Sequence, residues 1–301
     1  MSLLVTGTIG IDTVETARDK AENVLGGSAA YFAFAARLLA PVRLVGAVGD
    51  DFPTAFRDAL NDPSIDTSGL ETRAGSKTFR WHGKYLEDMN QRESISTDLN
   101  VVAEAPPAIP ESFRDSPFVF LANTHPAVQY GFIDQLDSPG FVVCDTMDLW
   151  INEFRDDLLK TLSRVHGVVL NDGEARMLTG KDDLFRAAQA VLDLGPTLAV
   201  IKKGEHGAML VTRDDLLVLP AFPTSSVVDP TGAGDSFAGG MMGHLAATNR
   251  TDIAAVRSAI AWGTCAASLT IEAFSVDAIR AADREALARR LARFRSSLAF
   301  D

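Results

Sequence analysis

Cysteine is almost absent. The chain holds two, Cys144 and Cys265, each inside an apolar run (FVVCDTM and GTCAASL). With no CxxC pair, neither a structural zinc site nor a disulfide framework is supported, and both thiols read as small buried hydrophobes. Positive charge is also scarce, with 28 Lys and Arg against 40 Asp and Glu, for a formal net charge of -12. A surface this acidic repels phosphate backbones and anionic membranes, so neither nucleic acid nor a membrane is expected as partner. One anionic ligand in a local pocket remains compatible with it. The five histidines show no HxH or HExxH spacing, which argues against metal catalysis by imidazole. No apolar run approaches the ~18 residues of a membrane span. The start, MSLLVTGTIG, has neither the basic residues nor the long apolar stretch of a signal peptide. The expected setting is soluble, reducing and cytoplasmic.

What is present is ordinary globular composition, 47% hydrophobic and 23% charged over 301 residues, enough to bury a substantial core. Short apolar runs at 3–6, 42–48, 118–122, 140–145, 167–171, 198–202, 208–212 and 216–219 predict strands. The earlier ones are continuously apolar, as in strands covered on both faces. Helical spacing lies between them, for example at Leu184, Ala188, Val191 and Leu192. It recurs at Leu287, Leu291, Phe294 and Leu298, after Asp283 as a candidate N-cap. Alternation of strand and helix predicts an α/β fold with a largely parallel sheet.

One stretch breaks this rhythm. From Gly75 to Val102, aromatic or β-branched residues alternate with polar ones, and Glu87-Asp88-Met89-Asn90 suits a hairpin turn. Residues 10–25 are polar as well. Together, about 10–25 and 75–102 predict a small antiparallel sheet projecting from the body, which otherwise reads as one unit over 1–301.

The most informative string is DPTGAGDSFAGG, from Asp229 to Gly240. Two β-branched residues precede it, small residues make a turn, and helix-compatible spacing follows. Such a turn lets backbone N–H groups converge on an anion at a helix N-terminus. Asp235 is the odd member, because a carboxylate repels a phosphate that is merely bound. Where the phosphate is transferred, the same carboxylate takes the acceptor's proton while the amides stabilise developing charge. Other phosphate motifs fail. Gly180-Lys181 is followed by Asp182 and lacks the P-loop glycine, and Gly7-Thr8-Ile9-Gly10 has the wrong dinucleotide spacing. Gly234-Asp235-Ser236-Phe237-Ala238 is one glycine short of a nucleophile elbow, leaving a Ser236 hydrolase as a distant alternative.

The Asp229–Gly240 string resembles the C-terminal signature of the ribokinase-like (PfkB-type) carbohydrate kinases, and further landmarks follow in order along the chain. Gly26-Gly27-Ser28-Ala29-Ala30 resembles that family's N-terminal glycine pair. Val45-Gly46-Ala47-Val48-Gly49-Asp50-Asp51 is similar to its VGxVGDD segment. Asn171-Asp172-Gly173-Glu174 matches its NxxE motif, and Lys203-Gly204-Glu205-His206-Gly207 resembles its nucleotide loop. The resemblance implies a three-layer α/β/α sandwich with a β-lid, and transfer of the ATP γ-phosphoryl group to an alcohol. Asp235 would be the base, with Gly232, Ala233 and Gly234 forming an anion hole. Asn171 and Glu174 would place Mg²⁺, Glu174 through water. Lys202, Gly204 and Gly207 would border the nucleotide, with Thr264 and Ser268 near the adenine. Asp12, Gly26 and Gly27 would meet the acceptor, with Tyr31 and His125 at its edge. Asp229 and Thr231 would serve a monovalent cation such as K⁺.

Two departures bear on the acceptor. Tyr31 stands where many members have Asn, and Ile271-Glu272-Ala273-Phe274-Ser275 replaces the usual Gly-Ala ending. The expected acceptor is a small sugar or polyol, with a nucleoside as the alternative. Phe79, Trp81 and Tyr85 are compatible with a flat base. A non-catalytic nucleotide-binding protein is a remote alternative. Apolar residues on the lid favour a homodimer formed through it.

Overall fold

A computed structural model of the chain describes residues 1–299. A nine-stranded sheet forms the centre, in the order β13-β12-β11-β10-β9-β8-β1-β4-β5. Its inner strands β4 (Val42–Gly49), β1 (Leu3–Thr6), β8 (Phe118–Leu121), β9 (Phe141–Asp145), β10 (Gly167–Asn171) and β11 (Leu198–Lys202) are parallel, as their apolar runs predict. β12 (Ala208–Thr212) and β13 (Leu216–Leu219) close the far edge antiparallel. β5 (Ile65–Arg73) adds an edge strand beside β4 that the hydrophobic pattern does not predict. Its burial is irregular, because an edge strand needs no continuous apolar run.

Neighbouring strand residues feed opposite faces. Leu3 and Val5 join a core with α1 (Ser28–Ala36), α8 (Ala233–Thr248), α9 (Ile253–Thr270) and α11 (Arg284–Leu298). Leu4 joins another with α3 (Pro126–Ile133), α5 (Arg155–Leu162), α6 (Asp172–Thr179) and α7 (Leu184–Leu192). The result is the expected three-layer sandwich. Packing is tight between layers, as where Phe32 of α1 stacks on Phe120 of β8 with ring centroids 4.5 Å apart. Asp283 caps α11 by accepting from the Ala286 amide, as its position predicts.

A second sheet of four strands stands apart, in the order β3-β2-β6-β7. β2 (Gly10–Glu15) and β3 (Lys20–Gly26) form one antiparallel pair, and β6 (Phe79–Tyr85) and β7 (Arg92–Asp98) form the other. Both segments were expected, and the turn at 87–90 closes with the Leu86 amide on the Gln91 carbonyl. The two hairpins meet through β2 and β6, which run parallel. Among the described residues no helix is long and apolar enough to cross a membrane.

Candidate active site

The site begins where β9, β10 and β11 end side by side. In this register Asn171 is opposite Lys202, and Asp145 is opposite Val169. Parallel strands thus deliver Asp145, Asn171 and Lys202 to one edge of the sheet, the usual place for ligands in such folds. Lys202 Nζ lies 3.6 Å from Asp145 Oδ2. Glu174 follows in the first turn of α6. Its Oε2 accepts from the Asn171 amide (2.6 Å) while Asn171 Oδ1 accepts from the Glu174 amide (2.8 Å), a reciprocal cap that leaves Glu174 Oε1 without a hydrogen-bond partner among the described residues. Burial, with Asp145 adding repulsion and Lys202 opposing, raises the Glu174 carboxyl to about 7.

The turn before α8 faces this group. Gly232 adopts φ 74°, and the ring of Tyr31 lies against it, so a side chain there would meet both strain and collision. The Ala233 amide is spent on the Pro230 carbonyl (3.1 Å), and no backbone acceptor takes the amides of Gly232 or Gly234 among the described residues. The amides this turn leaves open to an anion therefore include those of Gly232 and Gly234 but not that of Ala233. Lys202 Nζ approaches Gly234 so closely that a Cβ at that position would stand 2.8 Å from it. Asp235 follows in the first helical turn. Burial and the nearby Asp145 raise its carboxyl to about 7, against the pull of Lys202 and Arg92.

Asp12 enters from the small sheet and is buried. A Cβ on Gly26 would overlap its carboxylate, which explains a glycine at that position. Burial and then Asp229 raise the Asp12 carboxyl to about 7, partly offset by the Gly27 amide, and its Oδ1 has no partner. Asp12 pairs with Trp81 in the β2–β6 register, so alternation puts Phe79, Trp81 and Tyr85 on the Asp12 face of the sheet. The Thr231 hydroxyl bonds the Tyr85 hydroxyl at 3.2 Å, tying β6 to the turn of α8. Asp229 is fully buried. Its Oδ1 accepts from the Thr231 amide at 2.8 Å, and its Oδ2 has no partner among the described residues.

Not every anticipated residue joins this group. Tyr31 packs its ring on Gly232 at 1% exposure, and its hydroxyl, with no partner among the described residues, lies beneath the turn near Asp229, Asp12 and Asp235. His125 caps α3, accepting at Nδ1 from the Ala127 amide, and its ring meets Phe154 with centroids 4.3 Å apart. The Thr264 hydroxyl turns back to the Ile260 carbonyl of its own helix. That of Ser268 bonds the Cys265 carbonyl and Arg290, which lines a cavity of about 430 Å³ with Thr224 and Glu272. Gly204 and Gly207 flank the short turn between β11 and β12, and Asn90 of the small sheet rests on Gly204. Sequence reasoning missed Asp145, although an acid ending the buried run FVVC was a usable signal. It also missed Arg92, which the polar β6–β7 hairpin conceals.

The sequence pattern of the pfkB family carbohydrate kinases matches residues 134–279. A cytidine kinase of Thermococcus kodakarensis is 33% identical over 249 residues, covering 80% of this chain and 87% of that one. A fructokinase of Klebsiella pneumoniae is 26% identical over 283 residues, covering 88% and 92%. Among solved structures, the aminoimidazole riboside kinase of Salmonella enterica, complexed with aminoimidazole riboside and an ATP analogue, superposes with a TM-score of 0.78. That match has 20% identity and covers 97% of this chain and 100% of the other.

Proposed function

The chain belongs to the pfkB family of carbohydrate kinases, and from that premise we propose that Asp235 is the base that lets a sugar or sugar-like hydroxyl take the ATP γ-phosphoryl group. As a member it is an ATP-using phosphotransferase with an alcohol acceptor. The observation that carries the proposal is the neighbourhood of Asp235. Its carboxyl is raised to about 7, beside glycine amides with no internal acceptor and a buried ammonium at Gly234. A base near the working pH holds a proton only briefly, and those donors meet the charge that grows on the phosphoryl oxygens.

The chemistry is in-line displacement. The acceptor oxygen bonds the γ-phosphorus, the bond to the β,γ-bridging oxygen breaks, and the acceptor proton passes to Asp235. Lys202 lies beside Gly234 and holds its charge in place through Asp145. Glu174 Oε1 is the free carboxylate oxygen suited to Mg²⁺ through water, with Asn171 fixing its rotamer. Bound Mg²⁺ supplies charge neutralisation at the β- and γ-phosphate oxygens. The buried, unpartnered Asp229 Oδ2 next to Thr231 suits a monovalent cation such as K⁺. Gly204 and Gly207 border the nucleotide.

Asp12 is the residue for acceptor hydroxyls, with Gly26 and Gly27 allowing close backbone approach. The small sheet is the lid, and by closing over the acceptor it excludes water as a competing nucleophile. A nucleoside acceptor is the second reading. Its support is the aromatic face of Phe79, Trp81 and Tyr85 next to Asp12, together with the cytidine kinase relative. Strand β7, exposed along its whole length, gives the lid an edge on which a second copy could pair. The test is ADP release with Mg-ATP against sugars, polyols and nucleosides. Release with one class names the acceptor, and a response to none of them contradicts the proposal.

A further inference from the structure

The β6–β7 hairpin does more than cover the acceptor side. Its tip reaches the opposite wall, where Asn90 Nδ2 donates to Glu205 Oε1 at 3.1 Å and Asn90 Oδ1 sits against Gly204. Just behind the tip, the Tyr85–Thr231 bond holds the hairpin to the turn of α8. Opposite Tyr85 in the register stands Arg92, the first residue of β7. Its guanidinium lies 5.8 Å from the Trp81 ring centroid, and it forms no ion pair among the described residues. The other cation at the site, Lys202, is committed to Asp145. An arginine with no carboxylate partner among the described residues, held beside the Tyr85 hydroxyl and open to the cleft, is free to take an anion, and a planar guanidinium matches phosphoryl oxygens in pairs.

Resting on the kinase reading above, we propose that Arg92 is a catalytic residue that contacts the phosphoryl group in transit, carried there by a hairpin that Asn90 latches to the nucleotide loop. Burial raises Asp145, Glu174 and Asp235, and Arg92 is among the groups pulling each of them back, so its charge already reaches the cluster. During transfer the γ-phosphorus leaves the bridging oxygen, whose electron pair departs with ADP, and bonds the acceptor oxygen, whose proton goes to Asp235. Arg92 bonds the equatorial oxygens throughout and exchanges no proton. Asn90 is a positioning residue, because it acts through the hairpin and the Glu205 loop.

The experiment compares Arg92→Ala, Arg92→Lys, Asn90→Ala and Asp235→Asn with the wild type in two arms. In the first, cytidine, ribose and fructose are the acceptor probes for ADP release. Arg92→Ala should lose at least ~100-fold in kcat, the size of removing one preorganised donor. Arg92→Lys should recover only part of that loss, and Asn90→Ala should raise the KM for ATP more than it lowers kcat. The second arm needs no acceptor. Calorimetry with ADP and with a non-hydrolysable ATP analogue should show Arg92→Ala binding ADP like the wild type, and so folded, while losing about tenfold on the analogue. An Arg92→Ala protein that keeps the wild-type analogue-to-ADP ratio overturns the proposal. If Asp235→Asn is inactive and Arg92→Ala is fully active, only the role of Arg92 falls. If Asp235→Asn turns over normally, the role of Asp235 as base falls, and if no acceptor elicits ADP release from the wild type, the acceptor reading falls.

Discussion

Lys202 Nζ stands 3.6 Å from Asp145 Oδ2 and in contact with Gly234, so one buried ammonium serves three carboxylates, those of Asp145, Glu174 and Asp235. Asp145 is buried, at 5% exposure, and the Lys202 side chain is largely so, at 19%. Replacing Lys202 by Met removes the counter-charge without emptying the space. Stranding a buried charge in this way costs about 3–5 kcal/mol. The Lys202→Met protein should therefore unfold at markedly lower denaturant and bind Mg-ATP more weakly than ADP-free controls predict from stability alone. Wild-type stability in that variant would mean that the pair is not a buried one.

The pH dependence has a definite sign. Asp235 is raised from 3.8 to about 7 by burial and Asp145. Between those values the folded protein holds a proton that the unfolded chain has lost. The stability this provides is present at low pH and disappears as pH rises through the folded value. Asp235→Asn keeps a neutral group at every pH. Its melting temperature relative to the wild type should therefore climb from pH 5 to pH 8, by at least ~2 °C. Over the same range kcat/KM of the wild type should rise with pH, because the base must be free of its proton. A flat difference in melting temperature contradicts the burial of Asp235.

Asn171 and Glu174 separate a structural role from a cation role. Glu174→Gln keeps an oxygen for the Asn171 amide and so preserves the cap, but removes the charge. It should raise the Mg²⁺ needed for half-maximal turnover by about tenfold, the typical cost of weakening a metal site. Asn171→Ala should instead cost about 1 kcal/mol of stability through the lost cap. A Glu174→Gln protein with unchanged Mg²⁺ dependence and reduced stability reverses the assignment.

Gly26→Ala probes the acceptor side, because a Cβ at 26 would overlap the Asp12 carboxylate. Displacing Asp12 should raise the acceptor KM at least ~10-fold and leave nucleotide affinity within about twofold, since the two ligands use different walls of the cleft. Equal losses toward both ligands would place Gly26 in the fold rather than in the site.

Much of this was legible in the sequence wherever burial on both faces leaves a continuous apolar run. Residues 167–171 and 198–202 become strands with those bounds, and their ends carry Asn171 and Lys202 to the site. β5 escaped because an edge strand can be as polar as IDTSGLETR. The parallel pairing of β2 and β6 depends on how two distant hairpins dock, which local alternation does not encode. Within the site, the Asp229–Asp235 turn was readable because glycines and an acid at that spacing have few other uses. The placement of Tyr31 was not legible, since an aromatic near a glycine pair can face a ligand or the core, and its packing on Gly232 is set by tertiary contacts. Arg92 owes its role to the carboxylate cluster far along the chain, so no local pattern marks it, whereas Asp145 was marked by its place at the end of FVVC although its partner Lys202 is distant.

The most direct test is turnover by Asp235→Asn alongside its affinity for ATP. The account predicts that ATP binds nearly as in the wild type while acceptor-dependent ADP release falls at least ~10²-fold, the size of a general-base contribution. Near-normal release from that variant would contradict the assignment of Asp235 as the base.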